Sequence, residues 1–176
     1  MNFIFPFLYA TILFVSLSII GSYLVGLLQM TQKVEQRISV YERRLQLNQN
    51  PSETSFKLGQ LYLRKKLYPQ AITLFRKSLT LWNLNDEIGL GSLYNTLGFT
   101  YFKLKQYEHA VYYYNHAINL LPDYTLARTN LALVYETNQM YQEACNIYAS
   151  VLIYEKTNKI VESRLPVVEL KAGLTI

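Results

Sequence analysis

The sequence predicts an all-α protein, in which an N-terminal single transmembrane helix is followed by a right-handed α-solenoid of three helix pairs. Three observations predict this fold. A set of small and large residues recurs with a period of 34, and an uncharged apolar run precedes it. Positive charge lies beside that run, because residues 33–77 hold ten Lys/Arg and three acids while residues 1–32 hold no charged side chain.

The apolar run from Phe3 to Leu28 contains 26 residues. As a helix it would be roughly 39 Å long, against a hydrocarbon core of about 30 Å. A cleavable signal peptide would need a basic start, a shorter apolar core and a small-residue cleavage site, and the run offers none of them. We therefore predict a permanent anchor in residues 1–30, with membrane contact through residues 3–28. Lys and Arg follow the run and none precedes it, which predicts that the repeats lie on the cytoplasmic or stromal side.

Residues 31–50 are predicted to form a basic amphipathic stalk helix. Its apolar residues recur at helical spacing: Val34, Ile38, Tyr41 and Leu45. This face could pack on the first repeat or pair with a partner helix, or the stalk could rest on anionic lipid. A break at Asn48–Pro51 is expected to separate the stalk from the repeats.

The repeat is clearest between Gly91 and Tyr124, where a helix, a tight turn and a second helix explain the order of residues. Gly98 is small where the two helices cross, because a larger side chain would hold the backbones apart. Shifts of +34 and −39 give two more copies. The repeats are predicted at 52–85, 91–124 and 125–158, within a domain 51–158. The repeat-defining residues are Leu58, Gly59, Tyr62, Ala71, Phe75, Leu97, Gly98, Tyr101, Ala110, Tyr114, Ala117, Pro122, Ala132, Tyr135, Ala144 and Tyr148.

This period and these residues resemble the tetratricopeptide repeat family. The first copy departs from the pattern with Asn83 in place of the terminal Pro, and the third has Ala132 in place of Gly. Five extra residues separate the first two copies. This insertion is expected to lengthen the second helix of repeat one or the first helix of repeat two.

Residues 159–176 are predicted to form a capping segment and a tail. A short helix from Lys159 to Arg164 would cover the last apolar face, as the ends of solenoids require, and Pro166 would stop it. The following sequence, VVELKAGLTI, is expected to be either loosely held or a docking strand.

The resemblance implies that the first helix of each repeat lines a concave, protein-binding groove. The groove residues would be Phe56, Gln60, Leu63, Asn95, Phe99, Phe102, Thr129, Leu133 and Glu136. This groove would be aromatic and nearly uncharged, suited to an apolar helix or an extended peptide. Phe99 and Phe102 could equally be internal packing. Some members of the family clamp a terminal carboxylate with Lys and Asn, but the basic partners are absent at Phe56 and Thr129.

No constellation for chemistry stands out, so the sequence predicts that the protein is not an enzyme. His109 and His116 have no third ligand nearby, which argues against a metal site. Cys145 has no second cysteine to resolve it and is interpreted as an inert thiol. The basic run that begins at Arg64 ends a helix, where the dipole favours positive charge, so we predict no nucleic-acid role.

Over its whole length the chain resembles the membrane-anchored tetratricopeptide repeat proteins of algal plastids and cyanobacteria that assist photosystem I assembly. This resemblance implies a thylakoid location with the repeats on the stromal side. It implies photosystem I subunits or assembly intermediates as partners, and neither catalysis nor a cofactor. The alternatives are an N-anchored tetratricopeptide import receptor and a bacterial membrane-bound scaffold.

Overall fold

The computed structural model describes residues 4–174. Over that range the chain forms eight α-helices joined by turns, with no strand. It divides into two compact units, Met1–Arg43 and Arg44–Ile176. The all-α fold class predicted from the sequence is confirmed.

Helix α1 (Ile4–Gln46) is 43 residues long and makes up the described part of the first unit. It contains a segment long and apolar enough to cross a membrane, with a mean hydropathy of 2.1 over 18 residues. Hydroxyl groups in this segment donate to the helix's own backbone, as Ser16 Oγ does to the Leu13 carbonyl at 2.8 Å. Such bonds reduce the cost of placing a hydroxyl in hydrocarbon. The anchor and the stalk are thus one continuous helix, and the surface that the stalk contacts stays a prediction.

The second unit contains three helix pairs, each made of two helices that are consecutive in the chain. The pairs are α2 (Pro51–Arg64) with α3 (Tyr68–Leu81), α4 (Glu87–Lys103) with α5 (Tyr107–Leu120), and α6 (Thr125–Thr137) with α7 (Tyr141–Tyr154). One buried core, which includes Phe75, Leu97 and Leu131, extends through all three pairs. A second core joins the third pair to the last helix, α8 (Lys159–Ala172).

The turn inside each pair has the same backbone structure. Lys66, Lys105 and Gln139 occupy equivalent positions and have φ angles of 59°, 60° and 62°. The next residue in each turn donates its N–H to the carbonyl of Tyr62, Tyr101 or Tyr135, at 2.9, 3.0 and 2.9 Å. This is the Schellman arrangement, which satisfies carbonyls that would otherwise be unpaired at a helix end. The repeat read from the sequence is therefore present in the backbone.

The close helix crossing expected at Gly98 is confirmed. A Cβ atom built on Gly98 would lie 2.8 Å from Cδ1 of Tyr114, and one on Gly59 would lie 2.6 Å from Cε1 of Phe75. Both aromatic rings are almost completely buried, so neither can move aside. Glycine is favoured at both positions because a Cβ atom would strike the ring of the second helix.

The insertion between the first two repeats lengthens α4, the second of the two expected outcomes. Helix α3 keeps 14 residues, whereas α4 has 17 and begins at Glu87. Asp86 caps α4, because its Oδ1 accepts the N–H of Gly89 at 2.9 Å. Its Oδ2 accepts the indole N–H of Trp82 at 3.1 Å, which ties the loop to the end of α3.

The prediction that Pro166 ends a short C-terminal helix is wrong. Pro166 does not stop a short helix, and it lies inside α8, which continues to Ala172. Val161 and Val168, on either side of Pro166, are fully buried against the third repeat. Their burial offsets the lost backbone hydrogen bond and holds the helix together through the proline. The tail is accordingly neither loose nor a strand as far as Ala172, and its last two residues lie outside the described range.

Candidate protein-binding groove

Two hollows lie along the first helices of the repeats, and we call them the repeat hollow and the cap hollow. The repeat hollow has a volume of about 380 Å³ and joins α2, α4 and α6. It is lined by Gln60, Leu63, Arg64, Asn95, Thr96, Phe99, Leu126 and Asn130. Its surface combines apolar side chains with three amides, which suits both the side chains and the backbone of a peptide.

The cap hollow has a volume of about 420 Å³ and lies where α8 packs beside α6 and α7. It is lined by Thr129, Asn130, Leu133, Tyr148, Lys159, Ile160, Ser163 and Arg164. Asn130 lines both hollows, so they are neighbours on one continuous surface.

A hydrogen-bonded cluster forms one wall of the cap hollow. Arg164 Nη1 donates to both carboxylate oxygens of Glu136, at 2.9 and 3.1 Å. The buried hydroxyl of Tyr148 donates to Glu136 Oε2 at 2.9 Å. Burial, together with the Glu136 carboxylate, raises the pKa of Tyr148, so its hydroxyl stays protonated as the donor. The cluster fixes the capping helix to the third repeat.

A bond between two amides joins the second and third repeats below the repeat hollow. Asn130 Nδ2 donates to Asn95 Oδ1 at 3.0 Å. Asn95 is only 9% exposed, so its amide is held in one orientation by its neighbours. Asn130 itself lines both hollows.

Six of the nine groove residues expected from the sequence line one of these hollows. They are Gln60, Leu63, Asn95, Phe99, Thr129 and Leu133. Phe56, Phe102 and Glu136 line neither. Phe56 packs edge-on against Trp82 at 5.6 Å between ring centroids, and Phe102 is partly buried and tilts on Tyr107 at 6.0 Å. Whether the six bind a partner stays a prediction.

The groove carries positive charge, whereas the sequence analysis expected it to be nearly uncharged. Arg64 lines the repeat hollow, and Lys159 and Arg164 line the cap hollow. Lys103 adds a fourth cation, with its Nζ 4.9 Å from the ring centroid of Phe99. Repeat offsets could not find Lys159 or Arg164, because both lie on α8, beyond the last repeat. Arg64 could have been predicted as a groove residue from its position at the end of a first helix.

The remaining candidates for chemistry have ordinary structural surroundings. Cys145 is buried, and burial raises the pKa of its thiol, which disfavours the reactive thiolate. His109 stacks on Tyr101 and His116 on Tyr94, at 5.0 and 5.2 Å between ring centroids. In the described part of the chain, no three His, Cys, Asp or Glu side chains are grouped as a metal site requires.

Comparison with known proteins agrees with this geometry. Residues 52–123 match the family model described as tetratricopeptide repeat. The solved structure of YrrB, described as a tetratricopeptide repeat protein with an unusual peptide-binding site, superposes with a TM-score of 0.68. That match is 23% identical and covers 85% of this chain and 74% of YrrB, and at this identity it shows the fold.

Two relatives match by sequence. The chloroplastic tetratricopeptide repeat domain-containing protein PYG7 of Arabidopsis thaliana is 30% identical over 62% of this chain and 36% of its own length. The uncharacterized protein ycf37 of Guillardia theta is 34% identical over 94% of this chain and 93% of its own length. The chain therefore belongs to the ycf37 family, as a tetratricopeptide repeat protein.

Proposed function

We propose that this protein is a non-catalytic assembly factor that holds photosystem I subunits or assembly intermediates on the stromal side of the plastid thylakoid membrane. The observation that carries the proposal is the groove. It offers apolar side chains, amides and cations along one continuous surface beside three stacked repeats. A surface of this kind suits recognition of a polypeptide rather than turnover of a small molecule.

The location is supported by the first helix and by the relatives. Helix α1 carries a segment apolar enough to span a bilayer, and Lys and Arg follow it while none precedes it. The positive-inside rule then favours a stromal position for the repeats. A chloroplastic relative is consistent with a plastid membrane.

An import receptor for basic presequences receives less support from the groove. Arg64 and Lys159 would repel a basic amphipathic helix at both hollows. Their charge favours partners that carry acidic or neutral segments.

Photocrosslinking in native thylakoid membranes tests this function. A benzoylphenylalanine replaces Leu126, which is 51% exposed and lines the repeat hollow, in the full-length protein. The control carries the same group at Tyr112, which is 58% exposed and lines neither hollow. We expect photosystem I subunits to crosslink from position 126 and not from position 112. Equal yields from both positions, or crosslinks that contain no photosystem subunit, would contradict the proposal.

A further inference from the structure

The charges of the groove distinguish the kind of segment that it accepts. The side chains of Arg64 in the repeat hollow and of Lys159 in the cap hollow make no hydrogen bond or ion pair with any residue of the described range 4–174. Arg164 pairs with Glu136 through Nη1 alone, so its Nη2 and Nε donors are not used by that bond. Among the described residues, Glu136 is the acid that forms an ion pair with a lining residue of the cap hollow. Its charge and that of Arg164 offset each other.

The cap hollow offers two cationic groups to a carboxylate. Thr129, Asn130 and Ser163 line the cap hollow together with Lys159 and Arg164. An acidic side chain that enters this hollow would meet the Lys159 ammonium group and the unused guanidinium N–H groups of Arg164, whereas the hydroxyls of Thr129 and Ser163 already donate to the carbonyls of Thr125 and Ile160. The arrangement lies on α8 and the third repeat, outside the set of positions that the sequence analysis considered for a terminal carboxylate.

The repeat hollow supplies the adjoining apolar surface. Leu63, Phe99 and Leu126 line it, and it meets the cap hollow at Asn130. In an extended segment every second side chain points to the same face, so residues i and i+2 can enter the two hollows while the backbone meets the amide between them.

We propose that the groove binds an extended internal segment of a partner protein, with an apolar side chain in the repeat hollow and an Asp or Glu side chain in the cap hollow. The charge of Lys159, together with the Arg164 N–H groups that Glu136 leaves unused, selects the acidic side chain in the cap hollow. The inference rests on the proposed function, because it names the chemistry of the segment that the same groove would hold.

Selection from a random peptide library tests this inference without knowledge of the partner. Ten-residue random segments are displayed between fixed flanking sequences, so that no free terminus is offered, and are selected on the full-length protein in detergent micelles. We expect enrichment of Asp or Glu two residues away from an apolar residue. Selected peptides are then synthesised with acetylated and amidated ends, and their affinities are measured at low and high salt.

Two charge variants serve as the matched pair. Lys159→Ala should weaken the selected peptides by about fivefold, the upper range for one exposed ion pair, and Lys159→Glu should weaken them further. Lys156→Ala removes the same charge three residues away, at an exposed position that lines neither hollow, and should leave affinity unchanged. The difference between wild type and Lys159→Ala should shrink at high salt.

The outcomes separate the two proposals. Peptides that bind without acidic enrichment, or that bind wild type and Lys159→Ala equally, would overturn the acidic-segment inference while leaving a protein-binding groove in place. A selection that enriches no peptide would count against both the inference and the proposed function.

Discussion

Arg164 and Glu136 are 28 residues apart in the chain and form a two-pronged ion pair, with Nη1 at 2.9 and 3.1 Å from the two carboxylate oxygens. The pair joins the capping helix α8 to the first helix of the third repeat. The Glu136 side chain is 16% exposed and that of Arg164 is 42% exposed, so the acid is the more buried partner. The end of the solenoid thus depends on a contact outside the repeat pattern.

Replacing Glu136 should destabilise α8 more than replacing Arg164. Glu136→Ala leaves the buried Tyr148 hydroxyl without its acceptor and should destabilise α8 by about 2 kcal/mol. Arg164→Ala should cost about 1 kcal/mol, because solvent already screens this side chain. Hydrogen exchange of the α8 amides in the full-length protein measures both effects. Glu162→Ala, an exposed change on the same helix, is the control, and equal exchange in Glu136→Ala and Glu162→Ala would show that the cluster does not hold the helix.

The close contact at Gly98 should make even alanine unfavourable. Gly98→Ala places a Cβ 2.8 Å from the Tyr114 ring and should lower the free energy of unfolding by about 1–3 kcal/mol. Thermal unfolding followed by circular dichroism measures the cost. In a Tyr114→Leu background the same change should cost less than half as much, since the ring that it strikes is gone. Additive costs would indicate that the ring is not the cause.

The turn residue Lys105 should accept glycine with a gain in stability. Its φ of 60° is unfavourable for a side chain that bears a Cβ and is readily adopted by glycine. Lys105→Gly should therefore raise the free energy of unfolding by about 0.5–1 kcal/mol, seen as a higher melting temperature. Gln106→Gly is the control, because its φ of −90° needs no glycine, and that variant should be no more stable than wild type.

Pro166 should be replaceable without loss of α8. The ring is exposed, and the proline lacks the N–H that would pair with the carbonyl of Glu162. Pro166→Ala restores a donor and should stabilise the helix by about 1–3 kcal/mol, with slower amide exchange on both sides of position 166. Faster exchange in this variant would mean that the ring itself stabilises α8.

Acidic substitutions on the apolar surface of the repeat hollow should weaken binding of the partner. With the benzoylphenylalanine moved to position 60, which also lines the repeat hollow, Phe99→Glu and Leu126→Glu should each reduce photocrosslinking to the partner by at least about fivefold, because a carboxylate would be desolvated in this hollow. Leu126 is the cleaner site, since it is 51% exposed whereas Phe99 packs partly on the core. Tyr112→Glu should leave crosslinking and helicity unchanged. An undiminished yield from Leu126→Glu would rule out the repeat hollow as the contact surface.

Much of the fold follows from residue spacing. A helix pair repeats its small and large residues at fixed offsets because each pair packs on its neighbours in the same way. Gly59 and Gly98 therefore lie against equivalent rings, and the three turns share one backbone structure. The offsets also identified six residues of the two hollows. The offsets also placed Phe56 in the groove, but its ring packs edge-on against Trp82, which follows α3.

The sequence by itself determined the apolar first helix and the three helix pairs, because these depend on local periodicity and on contacts between consecutive elements. That the first helices line the groove was an implication of the family resemblance. Only the tertiary structure decided how the chain ends. Burial of Val161 and Val168 carries α8 through Pro166, and this brings Lys159 and Arg164 to the groove. Such contacts depend on how α8 meets the end of the stacked repeats, a relationship that has no periodic signal in the residues themselves.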